Sequence, residues 1–386
     1  MMRESIPVEE LFHKSHAVGQ YYGFMPLVTL TSKMRGTSRA KAKETEAMLA
    51  SASWRTVPDP IAETVIHFLK QCQTIERIPS PRQPLFLWHS NITPGRPAQK
   101  KVAVQFHALG TDRAIADAVV IRAVLALAND LFRERPVVRI NSMGDKETRA
   151  RYARELGVFF KKRAAILPEE CILAAKRDVL EAAEFAIAHG FAEDLPSPIE
   201  HLSDASRKRF EDLLEFLEMT ETPYELARHL ISRNTAWSDI CFEFTVGGKR
   251  VAWGSRYGEL ARHFFHGMPM NATGAVLSAT SEGKMVQKTP SSRLRFSFVH
   301  IGDEAKRLSI LLAEEFKRAR VPLAQCIGIE SLTEQLHLAE RRNSPYLLIM
   351  GRKEALENTA ILRNRQTQEE TILPLNGLID HLKAVA

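Results

Sequence analysis

The stretch that decides the fold is KVAVQFHALG at residues 101–110, followed after a short turn by AIADAVVIRAVLALANDLF at residues 114–132. In the first segment, β-branched and aromatic side chains alternate between two faces, which predicts a β-strand. The second is apolar on nearly all sides at helical length, so it predicts a helix buried between other elements. Its charged residues Asp117, Arg122 and Asp130 argue against a membrane span.

Further strands and helices are predicted on both sides of this pair. LFLWHS at 85–90 is a strand, and the ITPGRPAQK that follows it has the Pro/Gly content of a hairpin loop. Upstream, apolar spacing predicts helices at 8–22 and 61–72 and a strand at 25–30. Downstream, a strand is predicted at 137–144. The first domain is therefore built around several strands and the buried helix.

Helical periodicity then takes over from residue 146 to residue 233. The predicted helices of this region lie at 146–163, 168–189, 203–219 and 223–233. Strands return at 240–246 and 250–253, where the Gly247-Gly248 pair between them predicts a hairpin turn. A short helix through RYGELARHFF and a strand at 272–279 follow.

The last hundred residues alternate between strands and helices and predict a separate α/β unit. Its predicted elements are strands at 295–301, 326–330 and 345–351, helices at 303–320 and 331–342, two short strands and a closing helix from 375. SEGKMVQKTPSS at 281–292 has the composition of a linker. We therefore predict domains at 1–285 and 292–386.

Composition limits the classes of function. The chain has 386 residues, and 53 Lys and Arg against 46 Asp and Glu give a net charge of +7, which favours a polyanionic partner but also suits a basic protein that binds none. Four widely spaced cysteines and an acidic N-terminal stretch indicate reduced thiols and no export signal, so a cytoplasmic location is expected and no membrane contact. Walker and dinucleotide-binding motifs are absent, and His263 and His266 lack a third ligand, so no metal site is predicted.

Several stretches resemble one enzyme family. QFHALGTD at 105–112 resembles the second motif of class II aminoacyl-tRNA synthetases, in the Gln-Phe-His-Gln-x-Gly-x-Glu form of the histidine enzyme. RINSMG at 139–144, PYELARHLISRNTAWSDICFEF at 223–244 and GSRYGEL at 254–260 are similar to further histidyl-tRNA synthetase segments, in the same order. Residues 344–382 resemble that family's anticodon-binding domain.

This resemblance implies an α+β fold. A class II synthetase-like antiparallel sheet with a helical insertion at about 146–233 would be followed by a mixed α/β anticodon-binding-like domain. The family's first motif forms a dimer interface, and the helix at 8–22 looks like it, so a homodimer is expected. The implied partners are tRNA and a protein of translation.

The same resemblance shows where the catalytic arginines are missing. Amino-acid activation places charge on the α-phosphate of ATP, and preorganised cations stabilise it. Alignment puts Thr93, Ser232 and Ser281 where the family has phosphate-binding arginines. Because losing one such group costs about 100- to 1,000-fold in rate, we expect these three replacements to leave little activity.

Two groups of residues remain as site candidates. Those expected to line a vestigial amino-acid and ATP pocket are Arg96, Gln105, Asp112, Arg233, Arg256 and Tyr257. Those expected to contact tRNA are Arg352, Lys353, Arg363 and Arg365, since arginine pairs with phosphate and stacks on exposed bases. Ordinary surface charge is the alternative for this second group.

The sequence therefore predicts a histidyl-tRNA synthetase paralogue that binds tRNA, has an eroded site and needs no cofactor. One alternative is a divergent but active histidine-tRNA ligase that uses ATP and Mg²⁺, for which Arg96, Arg233 and Arg256 should converge on one pocket. Another is a regulatory subunit of a metabolic enzyme, like the synthetase-like subunit of ATP phosphoribosyltransferase. The anticodon-like domain argues against this last alternative.

Overall fold

The computed structural model of the chain describes residues 6–27, 59–75, 78–93, 100–282 and 294–385, which form two sheets with helices packed on them. The strands are β1 (Ile6–Pro7), β2 (Met25–Pro26), β3 (Leu85–Thr93), β4 (Lys100–Leu109), β5 (Val137–Ser142), β6 (Glu225–Leu226), β7 (Ser238–Val246), β8 (Lys249–Arg256), β9 (Ala272–Glu282), β10 (Phe296–His300), β11 (Leu323–Gln325), β12 (Tyr346–Met350), β13 (Thr359–Asn364) and β14 (Glu370–Pro374).

The helices fall between these strands in an uneven distribution, with four in one run. They are α1 (Val8–Tyr21), α2 (Pro60–Cys72), α3 (Ala114–Leu131), α4 (Lys146–Lys162), α5 (Glu169–Ala175), α6 (Val179–Ala188), α7 (Asp204–Met219), α8 (Gly258–Arg262), α9 (Asp303–Ala319), α10 (Leu332–Arg341), α11 (Arg352–Leu356) and α12 (Leu378–Val385). No described helix is long and apolar enough to cross a membrane.

The larger sheet is mainly antiparallel, as predicted. Its strands lie in the order β2-β3-β4-β9-β8-β7-β5-β6, and β1 pairs in parallel with β9. The hairpin of β3 and β4 pairs in one unbroken register from Leu85–Leu109 to Thr93–Lys101. The Gly247-Gly248 turn joins β7 to β8, and both glycines have positive φ angles of 56° and 74°, which the tight turn requires.

Helix α3 is buried around its circumference, as its sequence predicts. Val119, Ile121 and Leu127 lie on different sides of the helix and none of them is exposed to solvent. Each such side chain stabilises the fold by about 1.5–3 kcal/mol relative to an exposed position. The helix packs between the sheet and helices α1 and α7, so it forms the centre of the core.

The helical insertion consists of α4 to α7, and two details of its prediction are wrong. The predicted helix at 168–189 is interrupted at residues 176–178. The predicted helix at 223–233 does not form: β6 pairs in parallel with β5, and the Ala227 amide donates to the Ile140 carbonyl. Hydrogen bonds to the sheet edge thus replace the helical bonds that the local pattern favoured.

The C-terminal sheet has the order β11-β10-β12-β13-β14, parallel over its first three strands and antiparallel over the last three. The predicted strand at 326–330 is wrong, because the strand is β11, three residues earlier. Residues 326–330 instead pack on the larger sheet, where a Cβ on Gly328 would lie 2.3 Å from the Phe86 ring. The predicted domain boundary lies outside the described residues.

Candidate functional site

Helix α2 lies across one face of the larger sheet and closes it. Asp59 caps the helix, since its Oδ1 accepts from the Ile61 and Ala62 amides at 2.9 and 3.2 Å. Asp59 Oδ2 accepts from Trp237 Nε1 at 2.7 Å, which ties the helix to the segment preceding β7. The Phe68 ring of α2 stacks on His107 of β4, with centroids 3.8 Å apart and planes 19° apart.

Beneath α2, three side chains form a buried hydrogen-bond chain. Tyr257 Oη lies 2.7 Å from His107 Nδ1, and His107 Nε2 lies 3.1 Å from Gln105 Oε1. Because an amide oxygen only accepts, Nε2 carries the proton, and the tyrosine hydroxyl donates to Nδ1. Burial lowers the pKa of His107 and raises that of Tyr257, so both groups are neutral at pH 7.

This chain is fully enclosed. Gln105, His107 and Tyr257 have no solvent exposure, and the Trp237 ring meets Tyr257 edge-on with centroids 6.3 Å apart. Two of the predicted pocket residues, Gln105 and Tyr257, are therefore brought together through His107. The arrangement is neutral and densely packed, and it presents no cation to a phosphate.

Arg256 lies next to Tyr257 in the chain but on the other face of the sheet. Its Nε donates to both oxygens of Asp117 on α3 at 3.1 Å, and Nη2 pairs with the same carboxylate. Nη2 also donates to the carbonyl of Asp112 at 2.9 Å and to that of Arg113 at 3.3 Å. The guanidinium thus has all of these partners inside the core. The Asp112 side chain, by contrast, is exposed to solvent.

Arg233 has different partners, in the helical insertion. Its guanidinium pairs with Glu181 at 3.0 Å and Glu184 at 3.3 Å, both on α6. Beside it, Ser232 Oγ accepts from the Asn234 amide at 3.2 Å. The structure therefore does not bring Arg233 and Arg256 together, and Arg96 lies outside the described residues.

The other two positions at which the resemblance predicts a lost arginine lie at or next to strand ends. Ser281, on β9, is fully buried and its hydroxyl donates to the Ile6 carbonyl of β1. This hydrogen bond joins β1 to β9, since the two strands pair at this residue. Thr93 is the last residue of β3.

The four candidate RNA-binding cations of the C-terminal domain divide into two pairs. Arg352 and Lys353 are exposed at the start of α11, and Arg352 lies 3.7 Å from Glu304. Arg363 Nε donates to Glu370 Oε1 at 2.6 Å, and Arg365 Nη1 donates to the Ser344 carbonyl at 3.1 Å. Arg352 and Lys353 are therefore the cations most accessible to a ligand.

Sequence reasoning missed three residues that shape this region: Asp59, Phe68 and His107. Asp59 carried a detectable signal, because an Asp followed by Pro60 is a typical start of a helix. His107 and Gln105 are two residues apart in the strand, so their side chains share one face, and this spacing indicated their proximity. Nothing in the local pattern indicated that Phe68 stacks on His107. Across the described residues, no cluster of three or more His, Cys, Asp or Glu side chains suits a metal ion.

Known proteins match both parts of the chain. The family model for the anticodon binding domain matches residues 298–385. The histidine–tRNA ligase of Geobacillus sp. (strain WCH70) is 26% identical over 295 residues, 72% of this chain and 70% of the relative. That of Fervidobacterium nodosum is 24% identical over 295 residues, with the same coverage. The crystal structure of apo S. aureus histidyl-tRNA synthetase aligns with 78% of each chain at 18% identity and a TM-score of 0.40.

The antiparallel sheet, its helical insertion and the matched C-terminal domain agree with the fold expected of a class II aminoacyl-tRNA synthetase-like protein. Within that class, the chain is similar to histidine–tRNA ligases over about 72% of its length and carries an anticodon-binding domain. The resemblance stated from the sequence is confirmed.

Proposed function

We propose that this chain is a tRNA-binding, histidyl-tRNA synthetase-like protein with little or no amino-acid activation. The observation that carries the proposal is the position of Arg233 and Arg256, two of the three candidate pocket arginines. Asp117 neutralises Arg256 within the core, and Glu181 and Glu184 neutralise Arg233 in the insertion. Neither cation is available to stabilise charge on an α-phosphate.

The closed face of the larger sheet supports the same proposal. Histidine and ATP would need space next to Gln105 and Tyr257, but Phe68 and Trp237 pack there instead. Both side chains lie in one continuous apolar cluster with α2. Opening this cluster to admit the substrates would expose apolar surface, at a free-energy cost of about 25 cal/mol per Å².

Pyrophosphate exchange with ATP tests the loss of activation. We expect no histidine-dependent exchange above the enzyme-free background, and a histidyl-tRNA synthetase measured in parallel serves as the positive control. Robust exchange with histidine would contradict the proposal and favour the divergent ligase, for which ATP and Mg²⁺ would be the required cofactors.

Fluorescence anisotropy with labelled tRNA tests the binding half. The double variant Arg352→Ala/Lys353→Ala should weaken binding about tenfold, equivalent to about 1.4 kcal/mol, because two accessible cations at one helix start are lost. Lys383→Ala removes an exposed cation from α12 of the same domain and is the matched control. Equal affinities of the double variant and the parent would count against this surface.

The homodimer, the cytoplasmic location and a protein partner in translation remain predictions. Helix α1, predicted as the dimer interface, contacts the C-terminal domain of its own chain through Gln20 and Tyr21. Its exposed side is narrow and polar, with Glu9 and His13. Light scattering coupled to size exclusion measures the oligomeric state directly, and a monomer mass would contradict the homodimer.

A further inference from the structure

One side chain of the turn between β4 and α3 crosses to the C-terminal domain. Arg113 Nη1 donates to Glu330 Oε1 at 2.7 Å, and Nη2 pairs with Asp303, the first residue of α9. The two carboxylates lie in different segments of the C-terminal domain. A single guanidinium therefore joins the larger sheet to two points of that domain.

The acidic side of this contact is held in place from within the C-terminal domain. Lys306 Nζ lies 2.6 Å from Glu330 Oε1, and its side chain is only 1% exposed. Burial lowers the pKa of Lys306, and Glu330 opposes that effect. Lys306 therefore holds the Glu330 side chain in position whether or not Arg113 is present, because the buried ammonium needs a carboxylate beside it.

The basic side is held by the core. Arg256 Nη2 donates to the carbonyls of Asp112 and Arg113, the residues of the turn itself. Arg256 is fixed in turn by Asp117 on α3. A continuous series of contacts thus runs from Asp117 through Arg256 to the backbone of Arg113. The side chain of Arg113 then continues this series to Glu330.

We propose that Arg113 is an interdomain latch, which adds a salt-sensitive ion-pair contact to the apolar docking of the C-terminal domain on the larger sheet, and that Arg256 positions it. The latch is defined as Arg113 with its partners Asp303 and Glu330. It goes beyond the proposed RNA binding and does not depend on it. Its role is to set how tightly the two domains dock, in response to ionic strength.

The latch can open without unfolding of the chain, because its three side chains are partly exposed to solvent. The side chains of Arg113, Asp303 and Glu330 are 35%, 47% and 39% exposed. Exposed ion pairs are weak and screened by salt. The Lys306–Glu330 pair, in which the lysine side is buried, remains when Arg113 leaves. The apolar contact of residues 326–330 with Phe86 limits opening to a partial separation.

Hydrogen exchange of the docking amides tests the latch on the full chain. Arg113→Glu should raise exchange of the β11 and 326–330 amides about tenfold at low salt, and 1 M NaCl should have the same effect on the parent. The charge-swapped variant Arg113→Glu/Asp303→Arg should restore part of the protection, because it re-forms one of the two ion pairs. Arg352→Glu, an equal charge change outside the latch, is the matched control.

Two outcomes would overturn the proposal: Arg113→Glu exchanging like the parent, or the charge swap failing to restore any protection. A double-mutant cycle with Arg256→Lys tests positioning. If Arg256 acts through Arg113, the two substitutions together should raise exchange no more than Arg113→Glu alone. If the two substitutions instead raise the exchange rate by factors that multiply, Arg256 has a structural role separate from Arg113.

Discussion

Arg256 is the residue whose meaning the structure changes most. The sequence places it in a motif that resembles a synthetase pocket segment, yet the side chain leaves that face and pairs with Asp117. Asp117 is fully buried and Arg256 is 5% exposed, so each charge depends on the other for compensation. A buried pair of this kind is costly to break from one side, because the remaining charge is left unpaired.

We predict that Asp117→Ala lowers the free energy of unfolding by about 3–5 kcal/mol in urea denaturation, since it strands the Arg256 charge in the core. Asp212→Ala is the control. It breaks the exposed Lys208–Asp212 pair at 3.2 Å and should cost less than about 1 kcal/mol. A similar loss for both variants would contradict the role assigned to the buried pair.

At the scale of elements, β4 and β9 pack closely because Gly274 leaves room for the His107 ring. The two residues face each other in the antiparallel register. A Cβ on Gly274 would lie 2.1 Å from His107 Nδ1, the atom that accepts from Tyr257. The hydrogen-bond chain therefore depends on the absence of a side chain in the neighbouring strand.

Gly274→Ala should destabilise the protein by about 1–3 kcal/mol, because the methyl group displaces the His107 ring in a densely packed core. Gly157→Ala in helix α4 provides a contrast with the opposite sign. No atom lies within 4 Å of its added Cβ, so the helix should gain about 0.5–1 kcal/mol. Thermal and urea unfolding measure both. A neutral Gly274→Ala would show that the ring has space to move.

Across the whole molecule, the two sheets share one apolar cluster. Phe296 and Phe298 of the C-terminal domain belong to the same buried set as Phe106 of the larger sheet. Polar contacts add to this: Tyr21 Oη donates to the Val321 carbonyl at 2.7 Å, and Lys317 pairs with Asp130 at 3.0 Å. The C-terminal domain is therefore docked as part of a common core.

We predict a single cooperative unfolding transition for the full chain. The three tryptophans in the described residues, Trp88, Trp237 and Trp253, lie in or next to strands of the larger sheet, so fluorescence reports on that sheet. Hydrogen exchange of β10 reports on the C-terminal domain. Because unfolding either part exposes the shared cluster, the two probes should give the same urea midpoint. Separate midpoints would mean that the domains unfold independently.

Much of the fold followed from local pattern. The period-two alternation of β4, the all-round apolar helix α3 and the Gly247-Gly248 hairpin each carry their structure in a few residues, because strand, helix and turn geometry act over that range. The co-linear motifs also identified the class of protein. Two of the three failures, at 223–233 and 326–330, are segments whose hydrogen bonds or packing partners lie far away in the chain.

The sequence by itself determined most of the elements and the resemblance to a class of protein, and it predicted that Thr93, Ser232 and Ser281 replace phosphate-binding arginines. Only the tertiary structure decided what the surviving side chains do. The roles of Arg233 and Arg256 follow from the carboxylates that fold against them. Tyr257 is enclosed under the helix that carries Phe68. Arg113 pairs with Asp303, which lies 190 residues away in sequence. Electrostatic partners and burial depend on distances across the folded chain, and no local pattern encodes those distances.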